Sequence, residues 1–284
     1  MEEKLKLIEI DVLENPTSAL VYNEYVSQCK PVVLKSAAKS WRAYKEWPSL
    51  FLSKRYQDIE VNTSRGDANN SEEEFKSFRL AEYLKYITDT KDTDPFYLSG
   101  WSFSATNSEL LLDYEIPEYF NNWLRRVPDE LLHNEGQLVD YLLRWIYIGA
   151  KNTGSAMHRD ICDTSAWNAV ISGKKEWLFY DLEQTENIHD GYVDAFNPDF
   201  TKYPKLKNAV GYTCIQEAGD IVYTPSMWWH QVRNLEGGIS LTENFVNSSN
   251  IHCVSERFRS EKDSYGLSNL YDGLLQFIPE LQTE

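Results

Sequence analysis

The stretch Ser155–Tyr180, SAMHRDICDTSAWNAVISGKKEWLFY, admits two readings, and the choice between them decides the fold. His158, Arg159 and Asp160 spell the letters that open a protein-kinase catalytic loop. They also place a histidine and a carboxylate two positions apart, which is how many metal sites begin. The kinase reading fails on three counts. Its loop needs a metal-binding Asn five residues after the Asp, but Ser165 stands there and the Asn comes at Asn168. A Gly-rich loop must cover the phosphates, and no two of the 13 glycines are spaced G-x-G. Asp199-Phe200 is followed by Thr201, so the D-F-G element is missing as well.

The metal reading survives. Side chains at i and i+2 of an extended strand share a face, so His158 and Asp160 can address one ion. The third ligand has to come from a distant histidine: His133, His189, His230 or His252. His230 has the best setting, in EAGDIVYTPSMWWHQVRNL (217–235). There Gly219-Asp220 makes a turn into an apolar strand and Pro225-Ser226 makes a second turn. Trp228 and Trp229 then stand beside the histidine as a dry wall, with Trp167 and Trp177 as further wall candidates. His189 falls in a polar loop, and His133 and His252 lack any such context. Two histidines and one carboxylate form the facial triad of non-haem Fe(II) oxygenases, which keeps coordination positions open. A closed structural zinc site would need a fourth protein ligand.

Outward from this stretch the texture is β-rich. RWIYIGA (144–150), SAWNAVIS (165–172), KEWLFYD (175–181), YTCIQEA (212–218), DIVYTP (220–225), HQVRNL (230–235) and GISLTENFV (238–246) are short strand-like runs divided by turn residues. Many short strands with turn chemistry between them predict a sandwich or barrel. Before them, helical spacing recurs at 17–29, 40–56, 79–89, 116–127 and 136–145, with strands at PVVLKS (31–36) and DPFYLSGW (94–101). The tail after Ser248 reads as helical again. The expected organisation is a helical or mixed N-terminal region over 1–140, a β core over 141–250 and a helical segment over 251–284.

Composition limits the function classes. The 284 residues are 42% hydrophobic and 14% aromatic, enough for a large folded core. No apolar run approaches the roughly 20 residues of a membrane span, and MEEKLKLIEIDVLENP carries charge where a signal peptide is apolar. A cytoplasmic or nuclear location follows as an expectation, with Cys29, Cys162, Cys214 and Cys253 as reduced thiols. The net charge of −16 repels phosphate backbones and anionic membranes and favours a basic protein or peptide partner.

From about Asp94 to Asn250 the chain resembles the JmjC family of Fe(II)/2-oxoglutarate oxygenases, nearest to the small JmjC hydroxylases that include Jumonji-domain lysyl hydroxylases. HRDICDTSAWNAVISGKKEW (158–177) resembles the family's H-x-D, S-x-W-N and G-x-K-x-W run. QEAGDIVYTPSMWWHQVRNL (216–235) resembles its second-histidine element, and ISLTENFVNSSN (239–250) its closing T-x-N strand. The resemblance implies a mainly β fold with flanking helices: a double-stranded β-helix (jelly roll, cupin-like) core with a helical N-terminal region and a helical C-terminal end.

It further implies that His158, Asp160 and His230 are the metal ligands and catalytic residues. Lys175 would pair with the far carboxylate of 2-oxoglutarate. A dicarboxylate in an apolar barrel needs a fixed cation, and Lys174, one strand position away, would point the other way. Asn168 and Thr242 would hydrogen-bond the co-substrate, Tyr97 would contact it, Ser155 would offer a hydroxyl, and Asn244 would line the pocket. Arg159 and Ile161 depart from the residues common in the nearest branch, without touching the ligands.

The implied activity is hydroxylation of a Lys or Arg side chain of a protein, using Fe(II), 2-oxoglutarate and O2. The alternatives are N-methyl-lysine or N-methyl-arginine demethylation by the same chemistry, and hydroxylation of a tRNA base or a small molecule. A cupin-like scaffold without catalysis is the non-enzyme alternative. The lack of a PHD-like zinc module within the chain favours the hydroxylase.

Overall fold

A computed structural model describes residues 4–48, 55–66, 73–126, 144–261 and 275–282. Its centre is two long, bent strands. The two runs at 165–172 and 175–181 are one strand, β9 (Ser165–Tyr180), and those at 230–235 and 238–246 are another, β12 (Trp229–Phe245). They run antiparallel along almost their whole length, from Trp229 opposite Tyr180 to Phe245 opposite Ser165. Midway the register slips repeatedly between Asn234 and Ser240, and here both strands bend. Gly173 makes the corner of β9: its φ is +87°, and a Cβ there would sit 2.6 Å from the carbonyl oxygen of Gly237.

Each half of this ribbon carries its own sheet. The first half of β9 and second half of β12 join β11 (Ile221–Thr224), β3 (Val32–Lys35) and β2 (Val12–Glu14) on one side. On the other side they join β7 (Arg144–Gly149) and β6 (Leu98–Trp101). The remaining halves join β10 (Val210–Glu217) and β1 (Lys6–Glu9) on one side and β8 (Gly154–His158) on the other. Ten strands thus form one continuous hydrogen-bonded sheet folded over itself, a jelly roll with mixed flanking structure. A separate hairpin of β4 (Glu60–Arg65) and β5 (Glu74–Arg79) is attached to Tyr97 through two backbone hydrogen bonds with Ser64.

The outer face of the larger half is covered by the N-terminal helices. Trp167, Ala169, Tyr223, Leu241 and Phe245 pack against Trp41, Trp47, Tyr83, Phe103 and Phe120 in one core. Helix α1 (Ser18–Val21) opens on the Thr17 side chain, which accepts the Leu20 N–H, and runs into a π-helical turn, Tyr22–Val26. Helix α2 (Arg42–Glu46) follows. Helix α3 (Leu80–Asp89) buries Leu80, Tyr83 and Leu84 on one face. The Tyr83 hydroxyl lies 2.7 Å from the Ile148 carbonyl and accepts the Leu98 N–H, pinning β6 to β7. Helix α4 (Ile251–Glu261) closes the described core. Among the described residues no helix is long and apolar enough to cross a membrane, and none of the four cysteines is in a disulfide.

Some element readings change. Of the helix expected over 116–127, residues 116–126 form two 3-10 turns, Glu118–Phe120 and Trp123–Arg126, instead, and Val127 lies outside the described residues. Their backbone and Asn122 are taken by the end of β12 and the residue after it: Asn122 Nδ2 donates to the Asn244 carbonyl, the Trp123 N–H donates to the Val246 carbonyl, and Asn122 Oδ1 accepts the Val246 N–H. Such bonds compete directly with helical ones. Of the helix expected over 136–145, residues 136–143 lie outside the described residues, while Arg144 and Trp145 begin β7. The N-terminal part also holds more strand than its helical spacing predicts, in β1, β2, β4 and β5.

Candidate metal centre and co-substrate pocket

The site lies inside the jelly roll, where β8 meets β12. His158 ends β8 directly opposite His230 on β12, and opposed residues of an antiparallel pair face the same side. Asp160 follows in extended backbone (φ −61°, ψ 150°) at the entry to the turn Ile161–Asp163. The ligand atoms of His158, Asp160 and His230 all lie within 4.8 Å of one another. The imidazole centroids are 4.2 Å apart.

Both rings are oriented through Nδ1, which lies 2.7 Å from the Ala156 carbonyl in His158 and 3.1 Å from the Trp228 carbonyl in His230. Such bonds hold Nδ1 as the protonated nitrogen and leave the Nε2 lone pair for a metal. Burial, with His158 alongside, keeps His230 well below the usual imidazole range, so it is neutral as a ligand must be. Burial also pushes Asp160 up to about 6, against the opposing pull of His158 and Asn244.

A polar lane runs from this triad along the inner face of the ribbon. Asn244 donates to Thr164 Oγ1 at 2.8 Å, and Asn168 donates to Thr242 Oγ1 at 2.6 Å. At the far end Lys175 is 5% exposed, with Nζ 2.9 Å from Asn234 Oδ1 and 3.5 Å from the Tyr97 hydroxyl. Burial pushes its ammonium down to about 7, and no carboxylate pairs with it among the described residues. Lys174 instead pairs with Glu217 at 3.1 Å on the outside. Ser155 also reaches the inner face. The register shift in the β8–β12 pairing puts it opposite Val232 while His158 remains opposite His230, which plain alternation over three residues forbids.

The lane is buried but unsatisfied. Among the described residues, Asp160 Oδ2, Asn168 Oδ1, Asn244 Oδ1 and Ser240 Oγ have no hydrogen-bond partner. Buried polar atoms are ordinarily paired, so these fit a polar ligand lying between the triad and Lys175. Two imidazole nitrogens and a carboxylate suit Fe(II), and a buried cation at the far end suits a carboxylate.

Two inner residues escaped the sequence reading. Asn234 anchors Lys175 and is itself held by the 2.8 Å bond from its Nδ2 to Thr153 Oγ1. Its signal was parity, four positions after His230 on the same strand. Tyr147, whose ring centroid is 6.2 Å from that of Tyr97, alternates with the core residues Ile146 and Ile148. Burial, reinforced by Asp160, holds its hydroxyl protonated.

Of the four wall tryptophans, Trp177 lies beside His230 at 6.0 Å. Trp167 packs in the outer core against Trp41, Trp229 donates to Thr185 Oγ1, and Trp228 packs against Tyr212. Among the other histidines, His189 packs on Tyr203, His252 is exposed on α4, and His133 lies outside the described residues.

Comparison with known proteins agrees with this geometry. The cupin-like domain family matches residues 18–251. The chain is 32% identical over 239 residues to the lysine-specific demethylase JMJ21 of Arabidopsis thaliana, covering 79% of this chain and 24% of that protein. It is 27% identical over 240 residues to the bifunctional arginine demethylase and lysyl-hydroxylase psr-1 of Caenorhabditis elegans, covering 79% and 57%. It is 29% identical over 249 residues to the 2-oxoglutarate and iron-dependent oxygenase JMJD4 of Mus musculus, covering 78% and 56%. The chain thus spans between about a quarter and three fifths of the length of these relatives. With the triad, the jelly roll and these matches together, the chain belongs to the cupin-like domain family.

Proposed function

We propose that the protein is an Fe(II)- and 2-oxoglutarate-dependent dioxygenase that hydroxylates a Lys or Arg side chain of a protein substrate. The observation that carries this is the pairing of an open His-Asp-His triad with a buried lysine lacking a counter-anion, joined by unsatisfied polar atoms. His158, Asp160 and His230 hold the iron. Lys175, oriented by Asn234, holds the far carboxylate of 2-oxoglutarate. Asn168, Thr242 and Tyr97 bond the body of the co-substrate, while Asn244 and Ser155 line the pocket. Bound iron(II) supplies the reaction of O2 with 2-oxoglutarate, in which succinate takes one oxygen atom, CO2 leaves, and the substrate C–H takes the other oxygen as a hydroxyl.

The chain's own part is positioning and the exclusion of water. A protein target is supported by the names of the relatives, which act on lysine or arginine. A basic target is supported by the −16 net charge. A cytoplasmic or nuclear setting fits the charged stretch at residues 2–6 and cysteines outside disulfides. Removal of an N-methyl group is the second reading, favoured by the demethylase relatives. It starts with the same hydroxylation and ends in loss of formaldehyde.

The test is mass spectrometry of a host lysate treated with the protein, Fe(II), 2-oxoglutarate and O2. A gain of one oxygen atom on a Lys- or Arg-containing peptide, with succinate formed and both lost in His158→Ala, is the expected result. Methyl loss with formaldehyde would select the demethylase. Oxidation of nucleic acid or a small molecule alone would overturn the protein-substrate reading, and the absence of succinate under all conditions would leave a scaffold.

A further inference from the structure

Gln216, near the end of β10, is fully buried and stands directly opposite Lys175. Every polar group of its amide is used. Oε1 accepts the indole N–H of Trp177 at 2.8 Å. Nε2 donates to the backbone carbonyls of Asn168 at 2.8 Å and Asp220 at 3.1 Å. Trp177 lies flat on Phe179, with centroids 5.5 Å apart and planes 5° apart. These two rings are 6.0 and 6.2 Å from His230. One amide therefore reaches the imidazole of His230 through a single ring and reaches Asn168 through its backbone, and Asn168 goes on to Thr242.

We propose that Gln216 is a positioning residue that joins the histidine side of the metal centre to the amide side of the co-substrate pocket. The proposal rests on the reading of this pocket as an iron and 2-oxoglutarate site. The amide suits the task because it presents one acceptor and two donors in a fixed plane. A glutamate would turn a charged oxygen against two carbonyls, and a methionine would release the indole and both carbonyls. The strand bend at Gly173 separates Asn168 from Trp177, and Gln216 closes the gap from inside. A core glutamine that only satisfied buried groups would support stability without reporting to His230. Gln216 predicts a path through Trp177.

The experiment titrates the full metal-free chain with Co(II), followed by its d–d absorption, for wild type, Gln216→Met, Trp177→Phe and the double variant. Melting temperatures are recorded separately. Orientation of a ligand by its outer partners is worth about 10–100-fold in metal affinity. We expect Gln216→Met and Trp177→Phe each to weaken Co(II) by about 10-fold and to shift its absorption bands, with the double variant no weaker than either single one. If Gln216→Met does not fold, Trp177→Phe carries the same expectation alone. Wild-type affinity and bands in a Gln216→Met protein whose melting temperature alone has dropped would overturn the positioning role, as would losses that multiply in the double variant. A wild-type chain that takes up no Co(II) would bring down the metal-site reading as well, which separates the two failures.

Discussion

Neighbouring residues of β12 face two different polar interiors. Glu243 points outward into the core, with its carboxylate fully enclosed. Arg125 reaches both of its oxygens at 3.2 and 3.0 Å, and Asn122 and the Tyr114 hydroxyl each add a bond of 3.3 Å. Thr242 and Asn244, on either side, point inward to the lane where, among the described residues, four buried polar atoms lack partners and Lys175 lacks an anion. One strand thus carries a closed polar cluster on one face and an open one on the other. The chain completes the first from its own residues and leaves the second for a molecule it does not contain. Burial without satisfaction separates a binding site from a structural network.

The largest test of this contrast is Glu243→Ala. It removes the anion from a completed cluster and leaves the buried Asn122 amide and Tyr114 hydroxyl without it, which costs about 1–3 kcal/mol, while Arg125, half exposed, turns to water. Urea unfolding measures this, and a loss under about 1 kcal/mol, the value of a surface pair, would erase the distinction between the two faces.

Lys175→Met acts in the opposite sense on the open face. Its ammonium titrates near 7 in the fold but above 10 in the unfolded chain. Between these values the unfolded state binds more protons, so the penalty is full below pH 7 and fades as pH rises toward the unfolded value. The ligand-free variant is expected to melt a few degrees higher than wild type at pH 7, the exposed cost of Asn234 Oδ1 offsetting part of the gain. Its affinity for 2-oxoglutarate is expected to fall by about 100-fold or more. Calorimetry and thermal melting read the two halves together, and a loss of both stability and affinity would mean that Lys175 is structural.

The smallest effect is a proton. Above pH 7 the empty pocket holds Lys175 neutral, and a carboxylate must bring the charge back. Affinity for 2-oxoglutarate should therefore fall by up to about tenfold per pH unit above 7. Buffers of different ionisation enthalpy should show about one proton taken up on binding at pH 8. No uptake would mean that the lysine is already charged in the open lane.

The site was more legible than its surroundings. His158, Asp160, Asn168 and Lys175 fall within one strand-turn-strand stretch; the parity of His158 and Asp160 can be counted from letters, but Asn168 and Lys175, seven positions apart, share the inner face only because β9 bends at Gly173, and the resemblance singled out Lys175. His230 was marked by its turn and its tryptophans. The anchors were harder, since Gln216 and Asn234 lie inside a motif run without marking their own role, Tyr147 lies in a plain strand run, and all three show what they do only through contacts. Strand β1 was missed because all four of its residues are exposed, which removes the apolar alternation that announces a strand. Residues 116–127 misled for the reverse reason. Their apolar spacing is helical, but the end of β12 and Val246 beside it claim their hydrogen bonds. Trp167 was drawn toward the site by its neighbour Asn168, although adjacent strand residues face opposite ways.

The two bent strands also separate what can vary from what cannot. His230 and the co-substrate-side residues Asn168, Lys175, Asn234, Thr242 and Asn244 sit on β9 and β12, and β8 holds His158 opposite His230, so their spacing is set by a hydrogen-bond ladder and a glycine corner; Asp160 alone stands in a connecting turn. The connections, such as residues 181–209 between β9 and β10, are then free to change length and chemistry without moving the reacting centre. Exchange of such loops between relatives is a route to new substrates on an unchanged oxidising core, and it explains why the reaction can be read from this chain more readily than its target.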